Sequence, residues 1–186
     1  MTARLSALID GGYPPGVYRW PSRAHPGALG RELAGSGWSG YELSGVTDVG
    51  RLFAECADIM AFPGWFGHTW EGLADCLADL SWLSGTGHVL LWERYGTLAD
   101  TDLKAWRRAY ETLERAVAAR VRYAVPPLYV LLRGSGPDLS PLDGTPIRVL
   151  PAVTASAGSR PRRARSAPDG PPDPTRRPRA RGAPGR

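Results

Sequence analysis

Between Trp70 and Leu80 the apolar residues Trp70, Leu73, Leu77 and Leu80 recur at i, i+3, i+7 and i+10. That spacing forms one stripe of a helix and requires an apolar surface to bury it. The opposite face is acidic, with Glu71, Asp75 and Asp79 at i, i+4 and i+8. Like charges on neighbouring turns cost a few tenths of a kcal/mol per pair. A repulsion so easily removed points to a use.

The flanking segments read as alternating strands and helices. Val17 to Trp20 alternates like a short strand that Pro21 ends, and the stretch from His25-Pro26 to Ala34 reads as a helix with Leu29 and Leu33 on one side and Gly35 as its stop. Trp38 to Leu43 is a second strand. Asp48 can cap a helix from Val49 to Met60 whose stripe is Leu52, Phe53, Cys56 and Ile59. His88 to Trp92 and Leu128 to Leu132 are unbroken apolar runs of strand length, the pattern of strands buried on both faces. Between them Asp100 or Thr101 can cap a helix to about Arg120, with Leu103, Trp106, Tyr110, Leu113 and Val117 on one face. Strands separated by helices predict right-handed crossovers and a small parallel sheet covered by helices, an α/β fold.

The ends of the chain carry a different text. Residues 1–16 hold Gly11-Gly12 and Pro14-Pro15-Gly16 with few apolar positions and read as a flexible lead-in. Residues 17–37 form a βα extension and residues 38–150 the main domain, in which Ile147 to Leu150 is the last segment able to dock. From Ala152 onward Arg, Pro, Ala, Gly and Ser dominate without Leu, Ile, Phe, Tyr or Trp, so residues 151–186 read as a disordered tail.

Charge sharpens this division. The formal charge of +5 sums unlike pieces: residues 151–186 contain nine Arg against Asp169 and Asp173, while residues 1–150 hold 14 basic and 16 acidic residues. From Leu52 to Glu93 six acidic residues stand with no Lys or Arg. The tail has no aromatic residue for stacking on bases, so at most it would bind nucleic acid non-specifically. No run is long and apolar enough to span a membrane and no secretory pattern opens the chain, which predicts a cytoplasmic protein. Cys56 and Cys76 then read as buried free thiols.

The loop and helix residues Trp65-Phe66-Gly67 followed by Glu71-Gly72-Leu73-Ala74-Asp75-Cys76-Leu77 resemble the barstar family, intracellular inhibitors of barnase-type ribonucleases. The similarity extends from about Tyr41 to Arg133. It implies a barstar-like, three-stranded parallel sheet with helices around it, to which the first strand can add a fourth. It also implies a monomeric binding protein, not an enzyme, whose partner is a barnase-like basic ribonuclease. Asp75 then stands where the family places the carboxylate that enters the enzyme's phosphate site, Glu71 where a second acid makes contact, and Trp65 where an aromatic packs on the catalytic region. Gly67, His68, Thr69, Ala74 and Asp79 complete the expected partner-binding face. Carboxylates and a stacking aromatic suit that role, because a ribonuclease must present cations to phosphates.

The resemblance is not uniform. Thr69 stands where many members have Asn, and Ala74 where an aromatic often adds contact, which leaves room for an immunity-type protein against a toxin that is not a ribonuclease. An acidic contact from the last helix falls near Glu114 and Arg115 without a secure assignment. A Cys/His hydrolase built on His68 and Cys76 is the alternative of another class, disfavoured because a nucleophile needs a converging base and an oxyanion site. Cys56, His68, Cys76 and His88 lack zinc-site spacing, and Gly85-Thr86-Gly87 lacks the further Gly and the Lys of a phosphate loop, so no metal or cofactor is expected.

Overall fold

A computed structural model describes residues 5–22 and 27–150, and the segment read above as a disordered tail lies outside these residues. The elements run α1 (Ser6–Ile9), β1 (Val17–Arg19), α2 (Ala28–Leu33), β2 (Trp38–Leu43), α3 (Val49–Ile59), α4 (Trp70–Asp79), β3 (Gly87–Glu93), α5 (Gly96–Thr101), α6 (Leu103–Arg122) and β4 (Leu128–Arg133). The four strands form one parallel sheet in the order β1-β4-β3-β2. The first strand does add itself to the sheet: Val17 lies opposite Val130, which in turn lies opposite Leu90.

The unbroken apolar runs occupy the centre. Every position of β4 and all but Glu93 of β3 are buried, because helices cover both faces of a parallel sheet. The strand period of two sorts their side chains. Leu90, Trp92, Val130 and Leu132 face a core shared with α3, α4 and α6, whereas Val89, Leu91, Tyr129 and Leu131 face a second core closed by Leu5, Leu8, Trp20, Leu29, Leu33 and Leu150.

That second core corrects the reading of residues 5–16 as a loose lead-in. Leu5 and Leu8 are buried, Tyr129 donates to the Tyr13 carbonyl at 2.7 Å, and Tyr18 donates to that of Pro14 at 2.6 Å. Two buried leucines contribute about 1.5–3 kcal/mol each, enough to hold a segment whose glycines and prolines suggest none of it. The far end is tied in similarly. Ile147 and Leu150 are buried, and the Leu150 amide donates to the Arg19 carbonyl beside β1.

The long helix also starts later than its sequence suggests. Residues before it form α5, where the Thr101 hydroxyl donates back to the Thr97 carbonyl; Asp102 is the N-cap, accepting from the Ala105 amide at 2.9 Å. Leu103 therefore sits on the first turn, ahead of the buried face, and is 67% exposed. Among the described residues no helix is long and apolar enough to cross a membrane.

Candidate protein-binding face

An aromatic loop delivers the chain into α4. The Phe66 ring meets Phe62 and Phe53 edge-on at 5.1 and 6.2 Å between centroids, and Phe53 continues the contact to Trp70 at 4.9 Å. Trp82 closes the loop's other side by packing on Phe62 and donating its indole N–H to the Met60 carbonyl at 2.9 Å. With Phe66 turned inward, its neighbour Trp65 points out and is 62% exposed. Aromatic rings held edge-to-face stabilise a loop beyond the area they bury, so Trp65 is displayed from a braced base.

His68 takes a left-handed backbone at φ 53°, a conformation in which histidine is tolerated better than most side chains. It turns the chain so that Thr69 can cap α4, its hydroxyl accepting from the Gly72 amide at 3.0 Å. Gly72 allows the close fit of helix on loop, since a Cβ there would lie 3.3 Å from the Phe66 ring.

Along α4 the predicted faces separate as expected. Leu73, Cys76 and Leu77 are buried, Trp70 is half-buried, and Glu71, Asp75 and Asp79 are exposed. Gly67, His68 and Thr69 are exposed as well, although the Thr69 hydroxyl is engaged in capping. Ala74 differs: it is buried, forming part of a groove floor toward α6.

The far end of α4 depends on another element. The helix has no basic residue in its last turn, and Leu80 ends it in a left-handed conformation at φ 45°. Arg120 of α6, 1% exposed, supplies the missing cation. Its Nη1 donates to the carbonyls of Asp79 and Ala78 at 2.8 and 3.0 Å, and its Nε donates to Pro126 at 2.7 Å. A guanidinium at the negative end of a helix offsets orphan carbonyls and the helix dipole together.

Although no Lys or Arg stands between Leu52 and Glu93 in the chain, Glu71 has a basic partner from another element. Arg108 of α6 donates to its carboxylate at 2.8 Å while also pairing with Glu111 at 3.1 Å. The Glu71 carboxyl is held below its ordinary range, first by its own amide at the helix start and then by Arg108, with Arg115 adding to the pull. Asp75 and Asp79 form no ion pair among the described residues. Arginines distant in sequence thus flank a row that looked uncompensated.

The two residues named in the last helix face different ways. Glu114 lies with Tyr110 and Arg148 against the 140–148 segment, away from α4. Arg115 lines the α4 groove together with Asp75. The position facing the acidic helix is therefore basic.

Cys76 has no exposed surface, and burial, aided by Asp75 and Asp79, pushes its thiol up to about 11. Cys56 is likewise buried and pushed up to about 12. A nucleophilic cysteine needs exposure and a lowered pKa, so neither thiol fits a hydrolase.

A family model described as barstar (barnase inhibitor) matches residues 41–132. Over that region the chain belongs to the barstar family. The match runs from Tyr41 within β2 to Leu132 in β4, so the aromatic loop, α4 and α6 lie inside it while α1, β1 and α2 lie outside. No match is found among curated proteins. The barstar assignment agrees with the sheet, whose β2, β3 and β4 form the three-stranded parallel unit and whose β1 extends it.

The sequence reading gave Arg108, Arg120 and Arg122 no role beside α4 and left Arg115 unassigned. One signal was present: Arg108, Arg115 and Arg122 recur every seven residues, which keeps them near one stripe of a helix. Their spacing carries no information about which neighbour that stripe meets.

Proposed function

We propose that this barstar-family protein is a non-enzymatic intracellular inhibitor that binds a basic, barnase-type ribonuclease through the face from Trp65 to Asp79. The observation that carries the proposal is Asp75, an exposed carboxylate without an ion pair among the described residues, on the same loop-helix unit as the exposed Trp65. A fixed carboxylate can replace a phosphate among an enzyme's cations, and a displayed indole can pack on the surrounding surface. Glu71 joins this contact by exchanging its Arg108 partner for a cation of the enzyme. An exposed pair of that kind contributes only about 0–1 kcal/mol, so the exchange costs little.

The test is inhibition of RNA cleavage by a barnase-type ribonuclease at increasing inhibitor. Asp75→Ala should weaken binding by at least about 2 kcal/mol, the general scale for truncating a charged hot-spot residue and one to which the barnase–barstar complex itself contributed. Its thermal unfolding should match the wild type, since the substitution removes a solvent-exposed like charge. Unaltered cleavage at excess wild-type protein would refute the inhibitor reading; a variant that binds normally and melts early would make Asp75 a structural residue.

A further inference from the structure

Beside Asp75 the surface opens into a groove of about 320 Å³ between α4 and α6. Its floor is alanine, including Ala78 and Ala119, and its α6 side carries Arg115, Arg122 and Tyr123. The Tyr123 ring is largely exposed and lies 5.9 Å from the Arg122 guanidinium carbon. Neither Arg115 nor Arg122 forms an ion pair among the described residues. One wall of the groove is thus anionic and the other cationic, and both are free to meet a partner.

Asp75, Arg115 and Arg122 line the same groove, and exposed charges are screened over about one Debye length, roughly 8 Å at physiological salt. Any group entering it feels Asp75 and the two arginines together. A partner cation placed for Asp75 is repelled by Arg115 and Arg122 unless a neighbouring anion on the partner answers them. Like-charge juxtaposition is a strong means of rejecting the wrong partner.

Building on the function proposed above, we infer that the α4–α6 groove selects a ribonuclease presenting a carboxylate beside its phosphate-binding cations, and discriminates against one whose contact rim is cationic throughout. Asp75 takes the cation, and Arg115 and Arg122 take the carboxylate. The alanine floor lets both side chains approach.

The inference is tested by titrating a barnase-type ribonuclease with a uniformly basic rim against the wild type and against Arg115→Glu/Arg122→Glu, each checked by circular dichroism and thermal melting. The double variant should bind at least about tenfold more tightly, because each repulsion becomes an attraction. Should it fail to fold, Arg115→Gln/Arg122→Gln should still show part of the gain. Conversely, a Lys→Glu or Arg→Glu scan of the ribonuclease rim should yield a variant that binds the wild type more tightly and the double variant less tightly. Unchanged or weaker binding by the reversed-charge inhibitor would overturn the inference while leaving inhibition intact. Absence of binding by every form would overturn both. Sedimentation showing a wild-type dimer dissolved by the double variant would assign the groove to a second copy. Salt-sensitive binding of a short RNA oligonucleotide, lost in that variant, would assign it to nucleic acid. Either result would overturn the proposal.

Discussion

Replacing Arg120 by Met isolates the contact that fastens the binding helix to the rest of the molecule. Methionine fills much of the same volume and removes the donors facing Asp79, Ala78 and Pro126. Deleting a whole buried ion pair can be nearly neutral, but here the acceptors stay behind, and acceptors stranded in this way cost about 1–3 kcal/mol each when buried. These carbonyls are only partly buried, so the lower figure applies, and three of them give a loss of about 3 kcal/mol. Recovering the desolvation of the guanidinium offsets part of this, which sets an expected range of about 2–3 kcal/mol. Urea unfolding measures the total, and amide hydrogen exchange locates it: the C-terminal turn of α4 should exchange faster while α3 stays protected. A loss below about 1 kcal/mol, or faster exchange spread evenly over all helices, would refute the assignment of Arg120 as the clamp on α4.

Thr69→Ala should cost about 1 kcal/mol by removing the hydroxyl that accepts from Gly72, while Thr69→Asn should keep nearly full stability; equal melting temperatures for the wild type and the Ala variant would argue against the cap. His88 is buried, and burial together with Arg120 pushes its imidazole down to about 4. An unfolded histidine titrates near ~6.5, so protons bind preferentially to the unfolded chain between those values. The stabilisation is complete above the unfolded pKa and is lost as pH falls toward the folded one, by about 1.5 kcal/mol between roughly pH 6.5 and 5. His88→Gln should flatten that part of the stability profile measured by denaturant titration; a variant with the full wild-type slope would place the pH dependence elsewhere.

Local pattern carries most of the elements. The runs at His88 to Trp92 and Leu128 to Leu132 name the central strands, because only a residue covered on both faces is apolar at consecutive positions. The Asp48 cap and the stripe of α3 are equally readable, since the Asp48 carboxylate accepts from the Arg51 amide only three residues away. Residues 5–16 are the contrasting case, their burial resting on two leucines and on hydroxyls donated by Tyr18 and Tyr129. Asp102 and Leu103 show a subtler failure, because several residues near Asp100 can cap a helix and only the bend between α5 and α6 selects one.

By itself the chain determined the α/β alternation, the opposed apolar and acidic faces of α4, and the aromatic loop leading into it. Each is a periodicity or a cap, written within a few residues by local geometry. Tertiary structure decided what those faces meet: β1 beside β4, Arg120 under the end of α4, and a basic rail along α6 opposite the acidic one. Such contacts join residues 37 to 113 positions apart, and their charges interact through space, whereas spacing along the chain records only what lies within a turn or two.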